Sequence, residues 1–547
     1  MTRPPSMVSK GDLRQQSSST IADTPFDVLE KPQDIEKQNE MDGPKSSSDP
    51  PHNLTRTKLI LLFLGLALCI FLACLDVSII ATALPRIASD FSAQSQMSWV
   101  ATAYLIAYNA FNPLYGRFSD IFGRKKMVLV ALAIFLVGSV GCAAAQSILM
   151  LILFRAVQGT GACGLASISM IIVGDLFEDV AQRARYQSII WATYAVSSIL
   201  GPLLGGVFVE HATWRWCFWM NLPLGGLAAV VIVLFYKLPF QKTGLKEQLR
   251  RIDYLGVFFI MATITCLLLP LTMGGTTFAW NSPAIIIMFC VFAVLMGVLI
   301  VVESKATEAI IPPSLFKNRD IVILYSINGL TGLIFMGCTF YIPLYFQVVQ
   351  GASTTSSGAR WMANALGFCI STTLSSIALK WVKDYRIHMW AGLVLMTVGV
   401  GVLILFDVET SIAQQVVPIF VIGFGNGMIF QNCILAAQQA APKEEIAVAT
   451  ALCQSANSIG SAIGVAVCAA ALNNALVRNL NKLPAEMQGV IKQLDVVNNV
   501  NAVPLLPEDV RALVIRAYAD SFQFLFKVLT PIVGLALLMS LFLRKNK

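Results

Sequence analysis

Charge is what this 547-residue chain has least of: 13% of its residues are Asp, Glu, Lys or Arg, against 56% hydrophobic. A soluble domain carries about 25% charged residues. A water-soluble fold has no place for this much apolar surface, so lipid is the solvent. Histidine is also scarce, and His52, His211 and His388 lie too far apart to suggest a metal centre. The 12 cysteines are scattered through apolar runs with no C-x-x-C spacing, so they read as small buried hydrophobes. There is no Walker A loop, no H-E-x-x-H and no pair of intramembrane aspartates. Their absence removes ATP drive of that type and the common membrane-embedded hydrolases. We expect no enzyme, no cofactor and no metal. The net charge of +8 does not indicate nucleic acid, because the basic residues stand in short loops between apolar runs, the footprint of membrane orientation.

Those runs are what the sequence does have. Residues 1–55 are polar and low in aromatics, which reads as a disordered tail. Runs long enough to span a ~30 Å hydrocarbon layer then fall at 59–84, 95–115, 127–146, 148–173, 185–209, 216–236, 254–273, 283–302, 322–347, 357–381, 388–406, 415–436, 446–475 and 524–543. Lys and Arg concentrate in alternate loops, such as Arg117 to Lys126, Lys237 to Arg251 and Lys380 to Arg386. The positive-inside bias makes these loops and both termini cytosolic. The loop near 476–523 is basic yet must lie outside; long loops cross largely regardless of charge. Within it, 507–522 has an apolar helical face (Val510, Leu513, Val514, Ala517, Phe522) and is expected to lie as a helix on the outer surface.

The expected fold is an all-α integral membrane protein of about fourteen helices, two six-helix bundles plus two additional central helices. Its parts are the tail (1–55), a first bundle (56–236), two linker helices with cytosolic loops (237–320) and a second bundle (321–547). Two six-helix halves form a recurrent transporter plan, with the substrate at their interface.

An ionisable group inside a span is a functional candidate by default. Asp76 lies about ~12 Å below the outer end of the first helix and Arg155 ~10 Å below that of the fourth, at 1.5 Å per residue. At that shared level they can pair, either as a structural ion pair or as a protonation switch in which Asp76 loads and releases one proton per cycle.

Several motifs support a specific resemblance. Gly116-Arg117-Phe118-Ser119-Asp120-Ile121-Phe122-Gly123-Arg124-Lys125-Lys126 resembles the G-x-x-x-D-x-x-G-R-[RK] loop of the major facilitator superfamily. Leu75-Asp76-Val77-Ser78 through Ala83-Leu84-Pro85 and Arg155-Ala156-Val157-Gln158-Gly159-Thr160-Gly161-Ala162 resemble its fourteen-helix drug:proton antiporter branch. So do Gly201-Pro202-Leu203-Leu204-Gly205-Gly206 and Trp214-Arg215-Trp216-Cys217-Phe218-Trp219-Met220-Asn221-Leu222-Pro223. The resemblance is nearest to fungal multidrug and secondary-metabolite (mycotoxin) efflux pumps. It implies the major facilitator fold, proton coupling through Asp76 and Arg155, a gating latch at Gly116, Asp120, Gly123, Arg124 and Lys125, and an antiporter element at Gly201, Pro202, Gly205 and Gly206.

Uncharged polar and aromatic residues within spans are candidates for a central cavity: Tyr108, Gln158, Asn328, Tyr341, Asn426, Asn432, Gln454 and Asn457, with Tyr104, Trp191 and Tyr194 near them. Each is also a plausible interhelical hydrogen-bond or packing residue. As a set they suit neutral or weakly cationic amphiphiles. The reading is a monomeric proton antiporter, most readily of the plasma membrane, exporting drugs, toxins or secondary metabolites. The rivals are a vacuolar basic amino-acid or siderophore carrier and a non-transporting membrane sensor.

Overall fold

Lipid leaves the backbone no partner but itself, and the chain answers with helices throughout. The computed structural model describes residues 56–544, apart from 92, 94, 95, 178, 237–243, 276, 277, 307, 485, 486, 488, 490–502 and 505. The tail, 1–55, lies outside the described residues. The first bundle comprises α1 (Arg56–Asp90), α2 (Met97–Phe122), α3 (Arg124–Ala143), α4 (Ile148–Leu176), α5 (Val180–His211) and α6 (Asn221–Phe235), the last preceded by a single turn, Trp216–Trp219. A hairpin of α7 (Tyr254–Met273) and α8 (Pro283–Lys305) follows. The second bundle comprises α9 (Arg319–Val348), α10 (Thr354–Ala378), α11 (Tyr385–Leu403), α12 (Ile412–Ala440), α13 (Ile446–Leu480) and α14 (Glu508–Ser540).

Twelve spans among the described residues are long and apolar enough to cross a membrane. The two long helices outside that set, α2 and α10, are the more polar ones, with Asn109, Asn112 and Arg117 in α2 and Ser371, Thr372, Thr373, Ser375 and Ser376 in the second half of α10. The packing explains their polarity. α2 packs against α13 and α10 against α5, so each turns a face to the other bundle. α8 is the opposite case: Ile287, Val294 and Ile300 are more than half exposed, as a lipid-facing helix requires.

Capping side chains set where several helices start. Ser147 Oγ accepts from Met150 N at 3.2 Å, Asp253 Oδ1 from Gly256 N at 2.8 Å, and Ser411 with Gln414 forms a full capping box on α12. Gly123 joins α2 to α3 at φ 90°, a conformation that costs a residue with a Cβ but not glycine.

One expectation changes. Residues 508–522 are not a separate surface helix but the first turns of α14, a continuous 33-residue helix. Its periodic apolar face (Val510, Val514, Ala517, Phe522) is buried against the second bundle; periodicity reports that a face exists, not what covers it. Phe522 is 0% exposed and its ring stands 5.5 Å from that of Tyr345. The Trp214 element divides between protein and surroundings. Trp214 is buried and donates to Asp90 Oδ2 at 2.9 Å, while Trp216 remains exposed.

Because Phe522 fills a packed site, Phe522→Ala is expected to lower stability by about 3 kcal/mol, read as the unfolding midpoint of purified protein. A surface helix would lose almost nothing, so an unchanged midpoint would contradict this packing.

Candidate functional site

The site is built where α1, α2, α3, α4 and the start of α6 converge. Asp76 and Arg155 are each 1% exposed, and Arg155 Nη1 donates to Asp76 Oδ2. Neither charge could be buried alone, since an uncompensated ion inside costs several kcal/mol. Three more groups complete the network. Gln158 Nε2 donates to Asp76 Oδ1 at 2.7 Å and to Ser139 Oγ at 2.9 Å. Asn221 Nδ2 reaches Asp76 Oδ1 at 3.4 Å and Ser139 Oγ at 3.2 Å. Arg155 also donates through Nε to Val100 O at 3.1 Å and through Nη1 to Gln158 Oε1 at 2.8 Å. The Tyr104 ring covers the guanidinium, its centroid 4.3 Å from Cζ, and Tyr104 donates to Ala73 O. The carboxylate thus accepts from three side chains of two helices, Arg155 and Gln158 on α4 and Asn221 on α6. Adding a proton to Asp76 would remove the charge that balances Arg155 and turn one acceptor oxygen into a donor.

Gln158, a cavity candidate from sequence, is therefore placed in the ion-pair network. Asn328 and Asn432 are also packing groups in this structure. Asn328 Nδ2 donates to Cys453 O at 2.8 Å, tying α9 to α13, and accepts from Asn457 Nδ2 through its carbonyl at 3.0 Å. Asn432 Nδ2 donates to Ser375 Oγ at 2.8 Å, tying α12 to α10. Tyr108 and Tyr341 are half-buried, Tyr108 lying 6.3 Å from the Tyr104 ring. Asn426 Oδ1 and Gln454 Nε2 are buried without a hydrogen-bond partner, although Gln454 Oε1 accepts from Ser167 of the other bundle at 3.0 Å. Trp191 of α5 packs its ring 4.9 Å from Phe430 and 6.5 Å from Phe368, forming an aromatic wall across both bundles.

At the end of the bundles that carries the α2–α3 turn, Arg124 Nη1 pairs with Asp120 Oδ1 at 2.6 Å and Arg124 Nε with Asp175 Oδ2 at 2.8 Å. Lys125 Nζ donates to the carbonyls of Val233 at 2.7 Å and Tyr236 at 2.8 Å, satisfying the C-terminus of α6. Arg117 pairs with Glu308 at 3.0 Å, which also pairs with Arg251 at 2.7 Å; that hydrogen bond raises the Arg251 guanidinium above its ordinary value. A Cβ on Gly116 would meet Ala447 O and Ala451 Cβ at 3.0 Å, so the lack of one lets α2 close on α13. The hydrogen bonds joining the bundles gather at this end too: Ala184 O accepts from Gln431 Nε2 at 2.7 Å and Ser376 Oγ at 3.0 Å. In the antiporter element, Gly201 and Gly205 lie flush against Ser78, Ile79 and Thr82 of α1, whereas nothing stands within 4 Å of a Cβ on Gly206. Pro202 is exposed.

Ser139, Asp175, Asn221 and Glu308 escaped the sequence reading of the site. Asn221 stands inside a motif quoted above, and the first asparagine after an aromatic cluster was the available signal. A lone serine in an apolar helix gives none.

Arg155→Ala leaves the Asp76 carboxylate buried without its cation and is expected to lower stability by about 3–5 kcal/mol. Replacing Asp76 by Asn in that background should restore part of the loss, because an amide needs no counter-charge. Unfolding midpoints of the four proteins measure both effects. A double variant no more stable than Arg155→Ala would show that Arg155 does not act by balancing the charge.

The family model described as Major Facilitator Superfamily matches residues 66–465. The efflux pump dotC of Dothistroma septosporum is 35% identical over 493 residues, covering 89% of this chain and 84% of its own length. Citrate exporter 1 of Yarrowia lipolytica is 32% identical over 508 residues, covering 91% of this chain and 74% of its own. Among solved structures, the human organic anion transporter MFSD10 (TETRAN) aligns with a TM-score of 0.58 at 13% identity over 88% of this chain and 99% of that one. The family match over most of the length, on fourteen helices arranged as two bundles and a hairpin, makes this chain a member of the major facilitator superfamily.

Proposed function

We propose that the protein is a proton-driven antiporter that exports small amphiphilic organic compounds, such as drugs, toxins or secondary metabolites, across the plasma membrane. The observation that carries this reading is the sealed Asp76–Arg155 pair, a single titratable carboxyl buried among side chains of the first bundle. The names of dotC and Citrate exporter 1 support outward transport. The basic loops support a cytosolic α2–α3 end and cytosolic termini. On that reading the structure is closed toward the cytosol.

In this state Asp76 is ionised and held by Arg155, Gln158 and Asn221. A proton arriving from outside neutralises it and frees Arg155. The first bundle then repacks, the Gly116 seam and the Arg124 latch open, and the cavity faces the cytosol. Substrate entry there accompanies proton release to the lower proton concentration, which restores the pair. One proton moving through 100 mV contributes ~2.3 kcal/mol, and one pH unit adds ~1.4 kcal/mol. Together they support about a few hundredfold gradient of a neutral solute. The protein works as a monomer, with no ATP site and no bound cofactor.

The buried basic side chains among the described residues, Arg155 and Arg183, are both engaged by protein partners. The cavity wall therefore offers aromatic surface and amides without a free cation, which favours neutral or weakly cationic substrates over polyanions.

In an efflux-deficient host, the wild type should lower accumulation of fluorescent or radiolabelled compounds from a broad panel. A protonophore and Asp76→Asn should each abolish that effect while the protein stays folded and at the cell surface. Full gradient-driven export by Asp76→Asn would end the role given to Asp76. Accumulation of the protein at the vacuole would shift the reading to an intracellular carrier.

A further inference from the structure

The α7–α8 hairpin does more than join two bundles. Its inner face, Ile260, Ile264 and Leu268 of α7 with Leu299 of α8, packs with Ala110 and Leu114 of α2 in one cluster, and α7 also touches α13. The hairpin thus sits on the seam where α2 meets α13. Its α2–α3 end holds two acidic residues that have no role in the mechanism above. Glu303, near the C-terminus of α8, is 4% exposed. Asp253 caps α7 through Oδ1.

Both carboxyls are half satisfied. Glu303 Oε2 accepts from Ile311 N at 2.9 Å, but Glu303 Oε1 is buried with no hydrogen-bond partner among the described residues. Asp253 Oδ2 is in the same condition. The two orphaned oxygens face one small gap. A Cβ on Gly256 would lie 2.8 Å from Glu303 Oε1 and closer still to Asp253 Oδ2, so the oxygens are separated by less than twice that distance. Two ionised carboxylates cannot share a buried gap at this range without strong repulsion. A proton on either carboxyl removes the repulsion and gives the gap a donor that can turn toward the remaining carboxylate.

We propose that Asp253 and Glu303 bind one proton between them, a second proton site separate from Asp76 and attached to the α2–α13 seam.

The attachment runs through named contacts. Glu303 anchors the segment after α8 through Ile311 N, three residues from Glu308, which clamps Arg117 of α2 and Arg251. The charged groups around the gap are Arg117 from α2, Arg251 ahead of α7 and Glu308 after α8, with Lys246, Glu247 and Arg250 lining the adjoining groove beside Asp253. None of these donates to Glu303 Oε1 or Asp253 Oδ2. Loss of the shared proton would set like charges against each other where α7 begins and α8 ends. Their separation would loosen the Glu308 clamp on the gate. A proton bound more tightly in the folded state stabilises it at low pH, and that stabilisation is lost as pH rises.

Infrared difference spectra of the full-length protein in lipid nanodiscs, titrated with acid and base, test the site without any transport assay. At neutral pH the wild type should show a protonated-carboxyl band that disappears on alkalinisation together with a fall in unfolding midpoint. Glu303→Gln and Asp253→Asn should each abolish the band. Glu303→Gln should also keep its midpoint constant across the same range, because the amide N–H takes the place of the proton toward Asp253 Oδ2. Asp76→Asn should leave the band intact, which separates this site from the transport reading. A wild type with no such band, or a band that survives both substitutions, overturns the proposal.

Discussion

A charge in hydrocarbon must bring its counter-charge with it, and the first bundle is organised around that requirement. Asp76 on α1 and Arg155 on α4 are buried together, and breaking such a pair costs more than making it returns. The other contacts follow from satisfying its remaining valences. Gln158 and Asn221 donate to the second carboxylate oxygen, Val100 O accepts from Arg155 Nε, and the Tyr104 ring covers the guanidinium. Each demands that another helix pass within reach. The position of α6, for instance, is tied to α1 through a single asparagine at its first residue.

The end that carries the α2–α3 turn follows the opposite rule. Arg124 with Asp120 and Asp175, inside the first bundle, and Glu308 with Arg117 and Arg251, between α2 and the segments flanking the hairpin, are partly exposed pairs, a class worth about 0–1 kcal/mol each. Each is weak enough singly to be exchanged. The amide and hydroxyl contacts at Ala184 and Gln438 are similarly replaceable by water. Strong interactions inside each bundle and replaceable ones between them are what rigid-body rocking needs.

The helices were legible because lipid imposes a length and an apolar composition that sequence states directly. The Asp76–Arg155 pair was legible for a related reason: rise per residue gives depth, and equal depth permits pairing. Rotation about the helix axis was not legible. An asparagine within a span faces either a cavity or a neighbouring helix, and Asn328 and Asn432 turn to neighbours. The stretch 508–522 was misplaced because burial against protein and adsorption to a membrane surface leave the same apolar stripe. Glu303 was hidden by a boundary error of a few residues, which set it in a loop where α8 in fact continues to Lys305. Ser139 was invisible, since its importance lies wholly in the side chains that converge on it.

The aromatic wall bears on what such a protein can discriminate. Trp191 and Tyr194 come from α5, Phe368 from α10 and Phe430 from α12, so the wall belongs to both bundles, and the spacings of 4.9–6.5 Å that cross between them depend on how the bundles sit against each other. A substrate held by ring faces is held by shape and desolvation, which many flat amphiphiles satisfy. It is released when the rings part, without a specific charge having to be neutralised. The Asp76–Arg155 pair touches other rings, Tyr104 and Phe218, and none of this wall. On the proposed reading, that separation lets the driving ion be recognised strictly while the cargo is recognised loosely.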